Sequence, residues 1–211
     1  SISKQQADQI LFTGDIQNMR PQEVENLAHY LKKPMKGTIA VLGNHDYTYY
    51  VKGSPDELAL QEQKLKHLIR DSLGWTLLNN SNVVLHRGND TLYICGEEND
   101  GKVPGLGRVN MPATLRGVGK DAFVIMLQHD PSAWRRSILP DSHAQLTLSG
   151  HTHASQMQVF GFRPTQLLQT EDYGLYEENK RFLYVTAGLG GLVPFRLNMP
   201  NEVTVITLHS K

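Results

Sequence analysis

Asn44, His45 and Asp46 stand side by side directly after an apolar run, Ile39-Ala40-Val41-Leu42, that stops at Gly43. An amide, an imidazole and a carboxylate in succession can hold a metal ion, move a proton and aim the proton donor. The same pattern, an apolar run broken by glycine and followed by a potential ligand, recurs at Asp15 in LFTGD and at His151 and His153 in TLSGHTH. His129, in LQHDP, adds another imidazole. Together Asp15, Asn44, His129, His151 and His153 offer carboxylate, amide carbonyl and imidazole donors without a thiolate. That set suits Mn²⁺, Fe or Zn²⁺, singly or as a pair. Taken alone, each position has an ordinary explanation. A histidine after a strand is more often a hydrogen-bonded structural residue, and a Gly-Asp is more often a turn. Three strand-end clusters in one chain are poorly explained by coincidence.

The elements that must position these residues alternate early and turn to strands later. Gln9–Thr13 is a short apolar run ending at Gly14. Val24, Leu27, Ala28 and Leu31 then fall at helical spacing behind Pro21, and Pro34 closes that helix. Residues 38–42 read as the next strand. Ser54-Pro55-Asp56-Glu57 reads as a capping box that opens a second helix carrying Leu58, Leu65, Leu68, Ile69 and Leu73 up to Gly74. Val83–Leu85 and Leu92–Ile94 flank a Gly88-Asn89-Asp90 turn, a hairpin signal. Phe123–Leu127, Gln145–Leu148, Phe182–Val185 and Val203–Ile206 supply four further strands. The expected class is α/β, with a large mixed sheet or two packed sheets. In such folds ligand sites gather beyond the carboxyl ends of the strands, where all three clusters lie.

Composition limits the function classes. A chain of 211 residues suits a single large domain, residues 1–211, with a proper core. Lys plus Arg and Asp plus Glu are 21 each, so there is no nucleic-acid or polybasic footprint. No apolar stretch reaches the roughly 18–20 residues of a membrane span. The one cysteine, Cys95, lies in the strand-like TLYIC and reads as a small buried hydrophobe.

LFTGD, VLGNHD, LQHDP and LSGHTH, in this order and across the whole chain, resemble the motifs of the calcineurin-like metallophosphoesterases, with the bacterial phosphodiesterase-like members as the nearest subgroup. The resemblance implies a β-sandwich of two mixed sheets flanked by helices. It also implies hydrolysis of phosphodiester or pyrophosphate bonds at a dinuclear site, where a metal-bridging hydroxide attacks phosphorus. Asp15 would bridge the two metals; Asn44, His129 and His151 would complete the second site, and His153 would bind the first. His45 would assist the leaving group, with Asp46 orienting its ring. The subgroup's last motif commonly runs GHTHGGQ. Here it runs Ala154-Ser155-Gln156, a change in loop packing that leaves the ligands in place.

The family's first motif, an Asp-x-His ending a first strand, has no counterpart in Ser1–Asp8. The resemblance therefore implies that the first strand–helix unit is absent, and that the second metal site is better preserved than the first. Activity would be weak or missing in this chain, and the sheet edge so exposed invites self-association. Substrates compatible with this reading are small-molecule, nucleotide or lipid phosphoesters. Members with these motifs are often tethered to bacterial membranes, by analogy alone. From another class of function, a non-catalytic metallophosphoesterase-like scaffold is the alternative, and the intact His45-Asp46 pair argues against it. Weaker features are the Gly188–Gly191 loop, the acidic stretch Glu97–Asp100, read as a solvated loop sooner than one that reaches the site, Asn18 three residues after Asp15, and Met111, Trp134 and Phe195-Arg196, which core packing explains as well as a pocket does.

Overall fold

The computed structural model describes residues 2–101 and 107–210. Its strands form two sheets. β1 (Leu11–Phe12), β2 (Ile39–Ala40) and β3 (Thr76–Leu77) make a parallel sheet in that order. The larger sheet is mixed and six-stranded. It comprises β4 (Ser81–Arg87), β5 (Asp90–Gly96), β6 (Phe123–Leu127), β7 (Leu146–Ser149), β8 (Gly174–Glu178) and β9 (Arg181–Val185) in the order β4-β5-β6-β7-β9-β8. β5, β6, β7 and β9 run parallel, and antiparallel strands close both edges.

Alternation along the strands sorts side chains into three apolar layers. Ile39 and Val41 point inward against Ile125, Leu127, Leu146 and Leu148, and so join the two sheets. Ala40 and Leu42 point the other way, under the helices α1 (Pro21–Lys32) and α2 (Pro55–His67), where Val24, Leu65, Ile69 and Leu73 are buried. Val124 and Met126 face the opposite outer layer with Cys95 and Leu183, beneath Trp134 and Ile138. Each fully buried Leu, Ile or Met contributes about 1.5–3 kcal/mol by removal from water. The architecture is thus an α/β sandwich with helical segments on both outer faces.

The local signals explain several boundaries. Glu57 Oε2 accepts the Ser54 amide at 2.8 Å and the Ser54 hydroxyl accepts the Glu57 amide, so α2 starts at the capping box. Beyond His67 the backbone widens into a π-type turn, Leu68–Ser72, with the Leu73 amide donating to the Leu68 carbonyl. In the first hairpin Arg87 pairs with Asp90 across Gly88-Asn89.

Two expectations need correction. Val203–Ile206 is not a strand: Val203, Val205, Ile206 and Leu208 are exposed, and no ladder partner lies beside it among the described residues. β-branched residues favour a strand only where a neighbour takes up their hydrogen bonds. Glu97–Asp100 is not a solvated acidic loop, because Glu97 and Asn99 are buried. Of the two readings open for Met111 and Trp134, the core one holds: both are buried in the outer layer. Two strands, β3 and β8, escaped the sequence reading. β8 joins β9 through Asn179 and Lys180, both at positive φ, as a two-residue hairpin turn requires.

Candidate metal centre

The carboxyl ends of parallel strands deliver the site. β1 leads to Asp15, β2 to Asn44–Asp46, β6 to His129, and β7 to His151 and His153. The first two loops touch so closely that side chains are excluded. A Cβ on Gly14 would come within 2.5 Å of the Gly43 amide nitrogen, and one on Gly43 would lie 2.2 Å from Asp15 Oδ1. Gly14 also has φ +100, the left-handed region open to glycine.

Four donors converge in the space this contact opens. Asn44 Oδ1 lies 3.0 Å from His129 Nε2 and 2.8 Å from His151 Nδ1. Asp15 Oδ2 is 3.1 Å from His129 Nε2, and the two imidazole nitrogens are 3.3 Å apart. The ligand atoms of Asp15, His129 and His151 all lie within 4.8 Å of one another. His129 donates Nδ1–H to the Thr13 carbonyl at 2.7 Å, which leaves Nε2 as its ligand atom. Three ligand atoms with an amide oxygen among them, all of O or N type, fit a divalent cation.

The electrostatics of the metal-free protein point the same way. Burial works against an ionised Asp15, but the charge and hydrogen bond of His129 overcome it and hold its pKa at about 2. Burial likewise opposes an imidazolium at His129, and Asp15 overrides it, raising that pKa to about 9. Burial, then the charge on His129, pushes His151 down to about 4. A buried carboxylate paired with one imidazolium and crowded by a second, neutral imidazole is an arrangement that a cation relieves.

His153 stands outside the tight group. It is near enough for Asp15, His129 and His45 to influence it, and burial is the main reason its pKa is lowered. The backbone from His151 to Gln156 is unusual, with His151, His153, Ala154, Ser155 and Gln156 all at positive φ. Ala154 and Ser155 occupy the positions of the two glycines in the commoner motif, so this loop adopts a glycine conformation with side chains attached.

Asp46 does not orient His45. Its fully buried carboxylate accepts four backbone amides, from Asp15 at 2.7 Å, Gly43 and Ile16 at 2.9 Å and Gln17 at 3.2 Å, and so ties the first two loops together. Burial, then the Asp15 charge, raises its pKa to about 7. The His45 ring is held instead by the Asn18 carbonyl, which accepts from Nδ1 at 2.8 Å. Glu23 fixes that carbonyl's loop by accepting the amides of Asn18, Met19 and Arg20 at the start of α1.

Tyr50 was not anticipated. Its hydroxyl accepts the Asn44 Nδ2–H at 2.8 Å, which turns Asn44 Oδ1 toward the histidines, and its ring stacks on His45 at 4.7 Å. The signal was the aromatic run Tyr47-Thr48-Tyr49-Tyr50 directly after the motif.

Comparison with known proteins decides the family. A family model described as calcineurin-like phosphoesterase matches residues 1–155. The chain belongs to the calcineurin-like phosphoesterase family. An uncharacterized metallophosphoesterase of Aquifex aeolicus is 30% identical over 215 residues, covering 99% of this chain and 75% of that protein. Metallophosphoesterase YkuE of Bacillus subtilis, also uncharacterized, is 29% identical over 222 residues, covering 100% of this chain and 71% of its own length. A transmembrane protein with metallophosphoesterase domain from Danio rerio is 28% identical, and this chain spans 47% of it. Among solved structures, sulfate thiohydrolase SoxB of Thermus thermophilus has the same fold, with a TM-score of 0.51 at 14% identity over 84% of this chain and 33% of that one. This phosphoesterase chain contains no helix long and apolar enough to cross a membrane among the described residues.

Proposed function

We propose that residues 1–211 form one catalytic domain that hydrolyses phosphodiester or pyrophosphate bonds with divalent metal. Membership of a metal-dependent phosphoesterase family supports the reaction class. The observation that carries the reading is the convergence of Asp15, Asn44, His129 and His151 from four strand ends into one compact group, buried at Asn44 and His129 and half-buried at Asp15 and His151. These four residues would hold one cation, and Asp15 and His153 would serve a second, so the first-named site is the stronger. Mn²⁺, Fe or Zn²⁺ suit the donors equally, and a pair of such ions would polarise a phosphoryl oxygen and acidify an attacking water.

The chain's own groups contribute position and protons. Asp46 locks the Asp15 loop on the Gly43 loop, so the carboxylate of Asp15 and the amide of Asn44 keep fixed directions. His45 donates Nδ1–H to Asn18, leaving Nε2 as the atom that passes a proton to a leaving oxygen. Tyr50 limits the tilt of that ring.

The test combines stoichiometry with turnover. Elemental analysis after reconstitution with Mn²⁺ or Zn²⁺ and desalting is expected to give at least one ion per chain, and none in Asn44→Ala. Hydrolysis of bis(p-nitrophenyl) phosphate is expected to need that metal. His45→Ala should keep the ion and lose roughly 10²–10⁴-fold in kcat, the usual scale of general acid catalysis. Metal bound without turnover in the wild type would overturn the catalytic reading and leave a scaffold.

A further inference from the structure

His45 stands in the loop after β2, yet its hydrogen bonds run to the loop after β1. Asp15 Oδ1 accepts its amide at 2.9 Å, its carbonyl accepts Gln17 Nε2–H at 3.1 Å, and its Nδ1–H goes to the Asn18 carbonyl at 2.8 Å. The first two anchors are held from below, because Asp15 and Gln17 donate their own amides to the buried Asp46 carboxylate, and Gln17 is itself buried. Asn18 is different. It is exposed, as are Met19 and Arg20, and the chain regains a buried foothold at Pro21 and Val24 of α1. The contact that aims the His45 ring therefore comes from the least buried part of the loop.

One carboxylate holds those three exposed residues. Glu23 Oε2 accepts the Asn18 amide at 2.7 Å, and Oε1 accepts the amides of Met19 and Arg20, each at 3.0 Å. Helix capping accounts for the last of these alone, since a glutamate in the first turn reaches back to the amide of the residue before the helix, here Arg20. The amides of Asn18 and Met19 lie further out, where a helix cap has no use for them. Their geometry has another consequence. The Met19 N–H and the Asn18 C=O are the two polar ends of one planar trans peptide, and they point in opposite directions. Glu23 grips the N–H end, so the C=O end is aimed away from α1 and at His45. Charge-assisted hydrogen bonds are roughly twice as strong as neutral ones, which makes this grip a firm one for an exposed turn.

We propose that Glu23 is a positioning residue for proton transfer: through the Asn18–Met19 peptide it sets the direction of the His45 ring. The inference rests on the reading of His45 as the group that protonates the leaving oxygen. As the P–O bond breaks, its electron pair goes to that oxygen and the Nε2 proton follows, along a line the ring must already point down. A double-mutant cycle on the metal-loaded protein tests this, with Glu23→Ala, His45→Ala and the two combined. Turnover is followed on bis(p-nitrophenyl) phosphate and on diphenyl phosphate, whose phenolate is the poorer leaving group and depends more on a proton. Glu23→Ala is expected to lower kcat about 10–10²-fold, more on diphenyl phosphate, with KM and bound metal unchanged. In the His45→Ala background it is expected to cost nothing further, because groups that act as a unit are not additive. Glu23→Gln keeps a carbonyl oxygen for the Arg20 amide and gives up the charge, so it carries the same cycle if the alanine variant does not fold, with a smaller loss. An equal loss in both backgrounds would overturn the proposal and leave Glu23 a helix cap, and so would an unchanged kcat in both Glu23 variants. Full turnover in His45→Ala would remove the reading beneath the proposal, whereas a His45 loss without a Glu23 loss removes the proposal alone.

Discussion

Tyr50 acts on two functional groups through two different forces. Its hydroxyl takes the donor end of Asn44 while its ring supports His45. Tyr50→Phe separates them, since the ring stays and the acceptor goes. Outer hydrogen bonds of this type change metal affinity by about 10–100-fold, so Mn²⁺ titration calorimetry should show weaker binding in Tyr50→Phe, with unchanged thermal stability. Glu97 poses a different problem. It is fully buried, and Gln128 donates to one oxygen at 3.0 Å while the other has no hydrogen-bond partner among the described residues. Burial raises its pKa from 4.5 to about 7 despite the Gln128 amide. Between those values the folded state retains a proton that the unfolded chain has lost, so Glu97 makes stability fall as pH rises through that window. Glu97→Gln removes the titration and keeps the acceptor. Urea unfolding should find the variant about 2–3 kcal/mol more stable than wild type at pH 8, a gap that closes toward pH 4.5. The sequence marked both stretches, the aromatic run and the acidic one, but not what Tyr50 and Glu97 do in them, because their roles come from neighbours brought by the fold. Asp46 shows the same limit: adjacency suggested a partner in His45, whereas its partners are four amides, three of them about thirty residues away.

At the scale of elements, the ligand positions were legible because each follows an apolar run, broken by a glycine before Asp15, Asn44 and His151 though not before His129, and a buried parallel strand delivers its next residues to one edge. The glycines themselves have a steric reason. Gly43→Ala would drive a methyl group into the Asp15 carboxylate. The expected result is loss of metal binding in equilibrium dialysis, with destabilisation of about 1–3 kcal/mol from overpacking. Retained stoichiometric binding would show that the two loops part without harm. The α2 cap and the first hairpin were equally readable, since Ser54-Pro55-Asp56-Glu57 and Gly88-Asn89 are local codes. Val203–Ile206 was misread because strand propensity describes a residue's fitness for a ladder and carries no information about whether a neighbour is there. β3, two residues long, is a strand because β2 pairs with it, and nothing in Thr76-Leu77 alone says so.

At the scale of the molecule, the metal centre depends on the two sheets keeping their relation, because Asp15 and Asn44 hang from the smaller and His129 and His151 from the larger. Leu127, buried where the sheets meet and two residues before His129, is the side chain that joins core to site. Leu127→Ala should cost about 2–5 kcal/mol in denaturant unfolding and should weaken metal binding as well. A loss of stability with unchanged metal affinity would mean that His129 is placed by its Thr13 hydrogen bond alone. The α/β class was readable from the switch between helical spacing in the first half and strand-like runs in the second; the two-sheet sandwich came from the family resemblance, and the pairing order of the sheets was not readable.

Cys95 gives this molecule a built-in clock. It is the sole cysteine of the chain, it lies fully buried in the outer core layer on β5, and burial, then Glu97, drives its thiol up to about 12. A thiol so placed cannot react with an alkylating reagent until the sheet around it opens. The rate of its labelling therefore times the rarest excursions of the folded chain, without any engineered probe. Slowing of that rate by added metal would measure how firmly an ion at one edge of the sandwich holds its interior shut.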